Sequence, residues 1–175
     1  MPALYRDRRV TTDQRGDRGL DKYDPPLLPG GFHQTDLVGL HRLCVEYFPK
    51  SAARARLMET LSTIFCSIND SSISARLWIG GGFLTEKENP EDVELTMVVR
   101  ETSFKILTAN QRAFFDWFRS TSLYLEHRCY TYALVLDDAR DDWDVLQRYW
   151  LRQYGFDDQR RKKAIAEILV PKPSL

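Results

Sequence analysis

The chain has 175 residues, 43% hydrophobic and 29% charged, and Lys plus Arg equals Asp plus Glu at 25 each. That length suits one domain, or one domain with an arm, and the apolar share is enough to build a core. Zero net charge excludes a global field that would drive the molecule onto nucleic acid or an anionic membrane, leaving only local patches for such roles.

Residues 1–24 alternate in sign without a hydrophobic period, from Arg6, Asp7, Arg8 and Arg9 to Asp21, Lys22 and Asp24. Such a stretch buries too little apolar surface to offset its ordering entropy, so residues 1–26 are read as a charged flexible arm and 27–175 as the domain. The arm has no apolar signal-peptide core and no stretch approaches a membrane span, so a cytoplasmic location is expected. Pro25, Pro26, Pro29, Gly30 and Gly31 form a turn-rich entry to the domain.

Thr35 is a suitable N-cap for a first helix carrying Leu37, Leu40, Leu43, Cys44 and Tyr47, which Pro49 ends. Ser51 can cap a second, whose Leu57, Met58, Leu61, Ile64, Phe65 and Ile68 recur at helical spacing until Asn69, Asp70 and Ser71. Two β-like runs follow, 76–80 and 92–99, joined by a loop that opens on consecutive glycines, Gly80 to Gly82. A helix starts at Thr108, a strand spans 129–136, a helix spans 141–154 with Gly155 at its stop, and a last strand spans 164–170. The order predicts an α+β domain: a small mixed sheet of about four strands covered by helices.

The chemistry lies between residues 77 and 99. Leu77-Trp78-Ile79 runs into the glycines, and the second strand opens with Asp92 and Glu94. Side chains two apart on a strand share a face, so these carboxylates project together beside the glycine loop while Val93, Leu95 and Met97 face the core. Two hard oxygen ligands beside backbone N–H groups suit magnesium completed by phosphate oxygens, the setting for in-line nucleotidyl transfer. The same spacing also fits a half-exposed strand whose polar face sees water, with the glycines a plain turn.

This stretch resembles the signature of the polymerase-β-like nucleotidyltransferase superfamily, a Gly-Ser loop followed on the next strand by Asp-x-Asp or Asp-x-Glu. It is closer to small bacterial members of unknown function through Trp78, Ile79, Gly81, Phe83, Thr85, Lys87, Pro90, Asp92, Val93 and Glu94. Weaker likeness extends to 28–33 and 149–156, so the resemblance covers roughly 27–170. It implies Asp92 and Glu94 as metal ligands and catalytic groups, with Gly81, Gly82, Thr85 and Lys87 framing the phosphates of an NTP bound with Mg2+. It also brings Lys163, from the basic run Arg160 to Lys163, toward the site; a solvated turn is the plainer reading of that run.

Two departures stand out. Gly82 replaces the loop serine, and the third carboxylate, a metal ligand or general base, has no match. Tyr130 aligns there, while Asp137 and Asp138 fall at the strand's far end. Loss of a general base alone costs about 10²–10⁴ in rate. Hence two functions are expected: Mg2+-dependent transfer of a nucleotide from an NTP to a protein or RNA acceptor, or a degenerate member acting as an antitoxin- or immunity-type protein partner, its arm contributing. Nucleotide sensing without turnover is a third.

Cys44, Cys66 and Cys129 are widely spaced and sit in apolar stretches, as buried free thiols do. His33 suits a local backbone hydrogen bond in the entry turn, and His41 a helix surface. Phe114, Phe115, Trp117 and Phe118, with Tyr149 and Trp150, fit core spacing better than a base-stacking platform.

Overall fold

The computed structural model describes residues 24–120, 123–137, 143–156 and 161–170, and structural statements below concern those residues. Most of the predicted arm, Asp138 and Arg160 therefore lie outside the described residues.

The sheet is five-stranded: β1 (Gly31–Gln34), β2 (Ala75–Gly80), β3 (Val93–Arg100), β4 (Cys129–Leu136) and β5 (Ala164–Val170), in spatial order β1-β5-β2-β3-β4. β2 pairs antiparallel with β3 and β5, whereas β1–β5 and β3–β4 are parallel. The expected count of about four is one short. β1 lies in the segment read as a turn because it is only four residues long and opens on a glycine at φ +127°. No local periodicity marks so short a run; its pairing with β5 makes it a strand.

Six helices accompany the sheet among the described residues: α1 (Leu37–His41), α2 (Ala52–Asp70), α3 (Glu101–Lys105), α4 (Ala109–Ser120), α5 (Leu123–His127) and α6 (Trp143–Tyr154). α1 passes into a π-helical turn over Arg42–Glu46. Its N-cap is Asp36, whose carboxylate accepts the Gly39 N–H at 2.7 Å, rather than Thr35. Ser51 caps α2 as expected, accepting the Arg54 N–H at 3.2 Å. The short α3 and α5 were not foreseen, being single turns that tertiary packing holds in place.

Alternation along the strands feeds two cores. On one face Leu77, Ile79, Val93, Leu95, Met97, Val99 and Ile168 meet Leu57, Leu61 and Ile68 of α2 and Phe115 and Phe118 of α4. On the other, Trp78, Val98, Leu136 and Ile165 are covered by Trp150 of α6, with Phe32 and Trp143 packed alongside. β2 and β3 are thus buried on both faces, and Thr96, on the supposed solvent face, is only 3% exposed. Of the aromatic set, Phe115, Phe118 and Trp150 are core, while Trp117 and Tyr149 are exposed. Cys44 and Cys129 are buried; Cys66, on the outer side of α2, is exposed, contrary to expectation. No helix among the described residues is long and apolar enough to cross a membrane.

Candidate functional site

β2 delivers the chain into the glycine loop. Gly81 has φ +79°, a conformation that side-chain-bearing residues rarely adopt, and a single 3-10 turn follows over Gly82–Leu84. Phe83 and Leu84 are buried and pin that turn to the core. The Thr85 hydroxyl donates to the Gly82 carbonyl at 2.8 Å and accepts the Lys87 N–H at 3.3 Å, so it braces the loop from within. Lys87 Nζ lies 3.4 Å from Glu91 on the exposed flank.

Asp92 stands one residue ahead of β3, and Glu94 is the second residue within it. Glu94 pairs with Gly80 on one side and with Tyr130 on the other. Its side chain lies back over the glycines. A Cβ built at Gly81 would fall 3.2 Å from Glu94 Cγ, and one at Gly80 would fall 3.5 Å from Oε2. At Gly82 the nearest neighbours would be Lys87 Cδ and Pro90 Cβ, both at an ordinary 3.7 Å. The notch between loop and strand is small, about 20 Å³, and is lined by Gly80, Gly81, Glu94, Thr96, Tyr132 and Lys163 together with Trp78 and Trp150. A roomier cavity of about 380 Å³ lies at the β1 edge, bounded by Gln34, Asp36, Val38, Phe65 and Leu169, away from the acidic pair.

The electrostatics follow from this packing. Burial pushes the Glu94 carboxyl above the usual carboxylate range; Lys163 pulls it down and Asp92 adds to the rise. Burial also raises Asp92, joined by Glu91, while Lys87 and Arg128 oppose. Desolvation outweighs the cations at both acids. Tyr130 is 43% exposed and stacks on Tyr124 with ring centroids 4.4 Å apart. Among the described residues no cluster of three or more His, Cys, Asp or Glu side chains that could hold a metal ion forms.

Asp92, Glu94, Gly81 and Lys163 therefore share one neighbourhood, with Lys87 at its rim. Gly82 faces Lys87 and Pro90, and the Thr85 hydroxyl turns inward. His33 Nε2 donates to the Pro29 carbonyl, 2.6 Å away, the local bond expected of it. His41 sits on the helix surface 3.4 Å from Glu46, and His127 ends α5 beside Glu126.

Two residues that sequence reasoning passed over organise the surroundings. Arg54 is 0% exposed, yet its guanidinium faces backbone carbonyls. It donates to the carbonyls of Cys44, Phe83, Thr85 and Lys87 and stacks on Phe48, 3.7 Å from the ring centroid. Three of those carbonyls belong to the loop after the glycines. Glu167, 2% exposed, accepts from Arg76 at 3.1 Å, Trp78 Nε1 at 2.8 Å, Gln147 at 3.3 Å and Gln34 at 3.4 Å. Each carried a signal: Arg54 occupies the apolar stripe of α2 at i, i+3, i+4 and i+7 with Leu57, Met58 and Leu61, and Glu167 interrupts an apolar strand.

Fold and site together define a class: an α+β domain whose mixed sheet carries Glu94 against a glycine-lined notch, with Asp92 just ahead of the strand. Residues 21–169 match the family of unknown function DUF6932, and the chain belongs to that family. No curated protein and no solved structure matches it.

Proposed function

We propose that this protein binds a nucleoside triphosphate together with Mg2+ and transfers its nucleotide to a protein or RNA acceptor. The observation that supports the reading is Glu94 laid against Gly80 and Gly81, with Asp92 two residues away and Lys163 in the same notch. Asp92 and Glu94 would hold the Mg2+, which commonly takes one or two carboxylates and completes its octahedron with water and phosphate oxygens. When bound it supplies charge neutralisation at the phosphoryl oxygens. The N–H groups of Gly81 and Gly82 and the charges of Lys163 and Lys87 then orient the polyphosphate. Incubation of the purified protein with each labelled NTP, Mg2+ and cell extract tests this. Label transfer that disappears in Asp92→Ala/Glu94→Ala supports it; no transfer, or transfer that survives the double substitution, ends it. Gly82→Ser, which the local spacing accommodates, is expected to increase transfer.

One observation favours a second reading. Tyr130 stands in register beside Glu94, and the nucleotidyltransferase resemblance would put a third acid at that position. A site without that acid suits a protein that binds a partner and does not turn over nucleotide. Co-purification with a stoichiometric partner, lost on deleting residues 1–24, supports this; a protein that stays alone in pull-downs counts against it.

A further inference from the structure

Among the described residues the sheet ends on β1 at one side and on β4 at the other. The two edges differ in kind. β1 is four residues long and offers little to a passing strand. β4 is eight residues long and reads Cys-Tyr-Thr-Tyr-Ala-Leu-Val-Leu, with no charge, proline or glycine to discourage pairing.

Which backbone groups that edge presents follows from one hydrogen bond. Val93 donates to the Arg128 carbonyl at 3.0 Å, so even-numbered residues of β4 turn their N–H and C=O toward β3. Those of Thr131, Ala133 and Val135 point the other way, and β4 pairs with no strand but β3 among the described residues. Tyr130, Tyr132 and Val135 border this edge at 43%, 42% and 39% exposure.

We propose that β4 pairs antiparallel with β4 of a second copy of this chain, about a two-fold axis at Ala133, making one continuous sheet across the dimer. The strand complements itself. With Ala133 opposite Ala133, Thr131 falls opposite Val135, Tyr132 opposite Leu134 and Tyr130 opposite Leu136. Each aromatic meets an aliphatic side chain, no charge meets its like, and the smallest side chain lies on the axis, as an isologous contact requires. The proposal does not rest on the nucleotide reading, since the pairing is made by the outward backbone groups of β4, although Tyr132 also lines the notch.

Light scattering on the full chain across a concentration series is expected to give twice its 20.4 kDa mass. Hydrogen exchange at the Thr131, Ala133 and Val135 amides should slow as the dimer fills. Val135→Lys places a charge on the edge at an exposed position and is expected to weaken self-association by at least about tenfold. If that variant fails to fold, the wild-type exchange series decides alone: protection of these amides that does not rise with concentration overturns the proposal. So does a monomer at every concentration, a dimer that folded Val135→Lys leaves intact, or an edge closed by a different chain.

Discussion

Glu94 and Asp92 are acids held in a place that disfavours their charge. Because burial raises both in the folded state, the protonated forms favour folding, and that contribution is present at acid pH and lost as pH rises through the folded values. Above those values both carry a desolvation penalty that Lys163, Lys87 and Arg128 offset only in part. Asp92→Asn/Glu94→Gln should therefore melt higher than the wild type at neutral pH, with the gap closing below the ordinary carboxylate range. Thermal melts across pH check this, and a gap that widens on acidification would contradict it. Mg2+ binding, if measured by calorimetry, should fall away at a higher pH than for ordinary acids, since protons compete for the same oxygens. Gly81 is the second residue on which the notch depends. Gly81→Ala forces an L side chain into a left-handed backbone 3.2 Å from Glu94 Cγ. We expect a loss of about 1–2 kcal/mol in denaturant melts, with Glu94 displaced.

Between elements, Arg54 is the tie that holds the loop to α2. A helix usually contributes an apolar stripe; here one stripe position carries a guanidinium that replaces water for carbonyls the loop leaves unpaired. The neighbouring Ser51 adds a hydrogen bond to Asn89 at 2.9 Å, so the first turn of α2 grips both ends of the Phe83–Asn89 segment. Arg54→Met keeps much of the apolar bulk but abandons several buried carbonyls. Urea melts should record a loss of roughly 3–5 kcal/mol, in line with breaking a buried charged network. Exchange protection should fall first across 83–87. Lysine at this position should rescue only in part, because an ammonium cannot span four carbonyls in a planar fork.

At the scale of the whole molecule, the sheet separates a large core beneath α2 and α4 from a smaller one beneath α6, and Glu167 sits in the smaller one. Its carboxylate gathers Arg76 and Gln34 from neighbouring strands, Trp78 from β2 and Gln147 from α6, so it joins the helix layer to the sheet. Arg76 is itself stacked on Trp143, 3.9 Å from the ring centroid. Glu167→Ala leaves the Trp78 N–H buried without an acceptor and should cost about 2–3 kcal/mol, lowering Tm by roughly 5–10 °C in calorimetry. The α6 face should loosen more than the α2 face, which near-ultraviolet circular dichroism from Trp78, Trp143 and Trp150 can follow.

Local pattern alone was enough for several parts of this protein. The long helix from Ser51, the strands at 129–136 and 164–170, and the inward set Val93, Leu95 and Met97 all follow from periodicity and capping, which neighbouring residues decide. Tertiary structure decided the rest. β1 is a strand only because β5 lies beside it; α3 and α5 are too short to form without packing; and Thr96 is buried only because α6 crosses that face. The partners of Arg54 and Glu167 lie up to 33 and 133 residues away, so no window of sequence could pair them. A short-range code fixes which way a side chain points, whereas what it meets there depends on loop closures that sum over the entire chain.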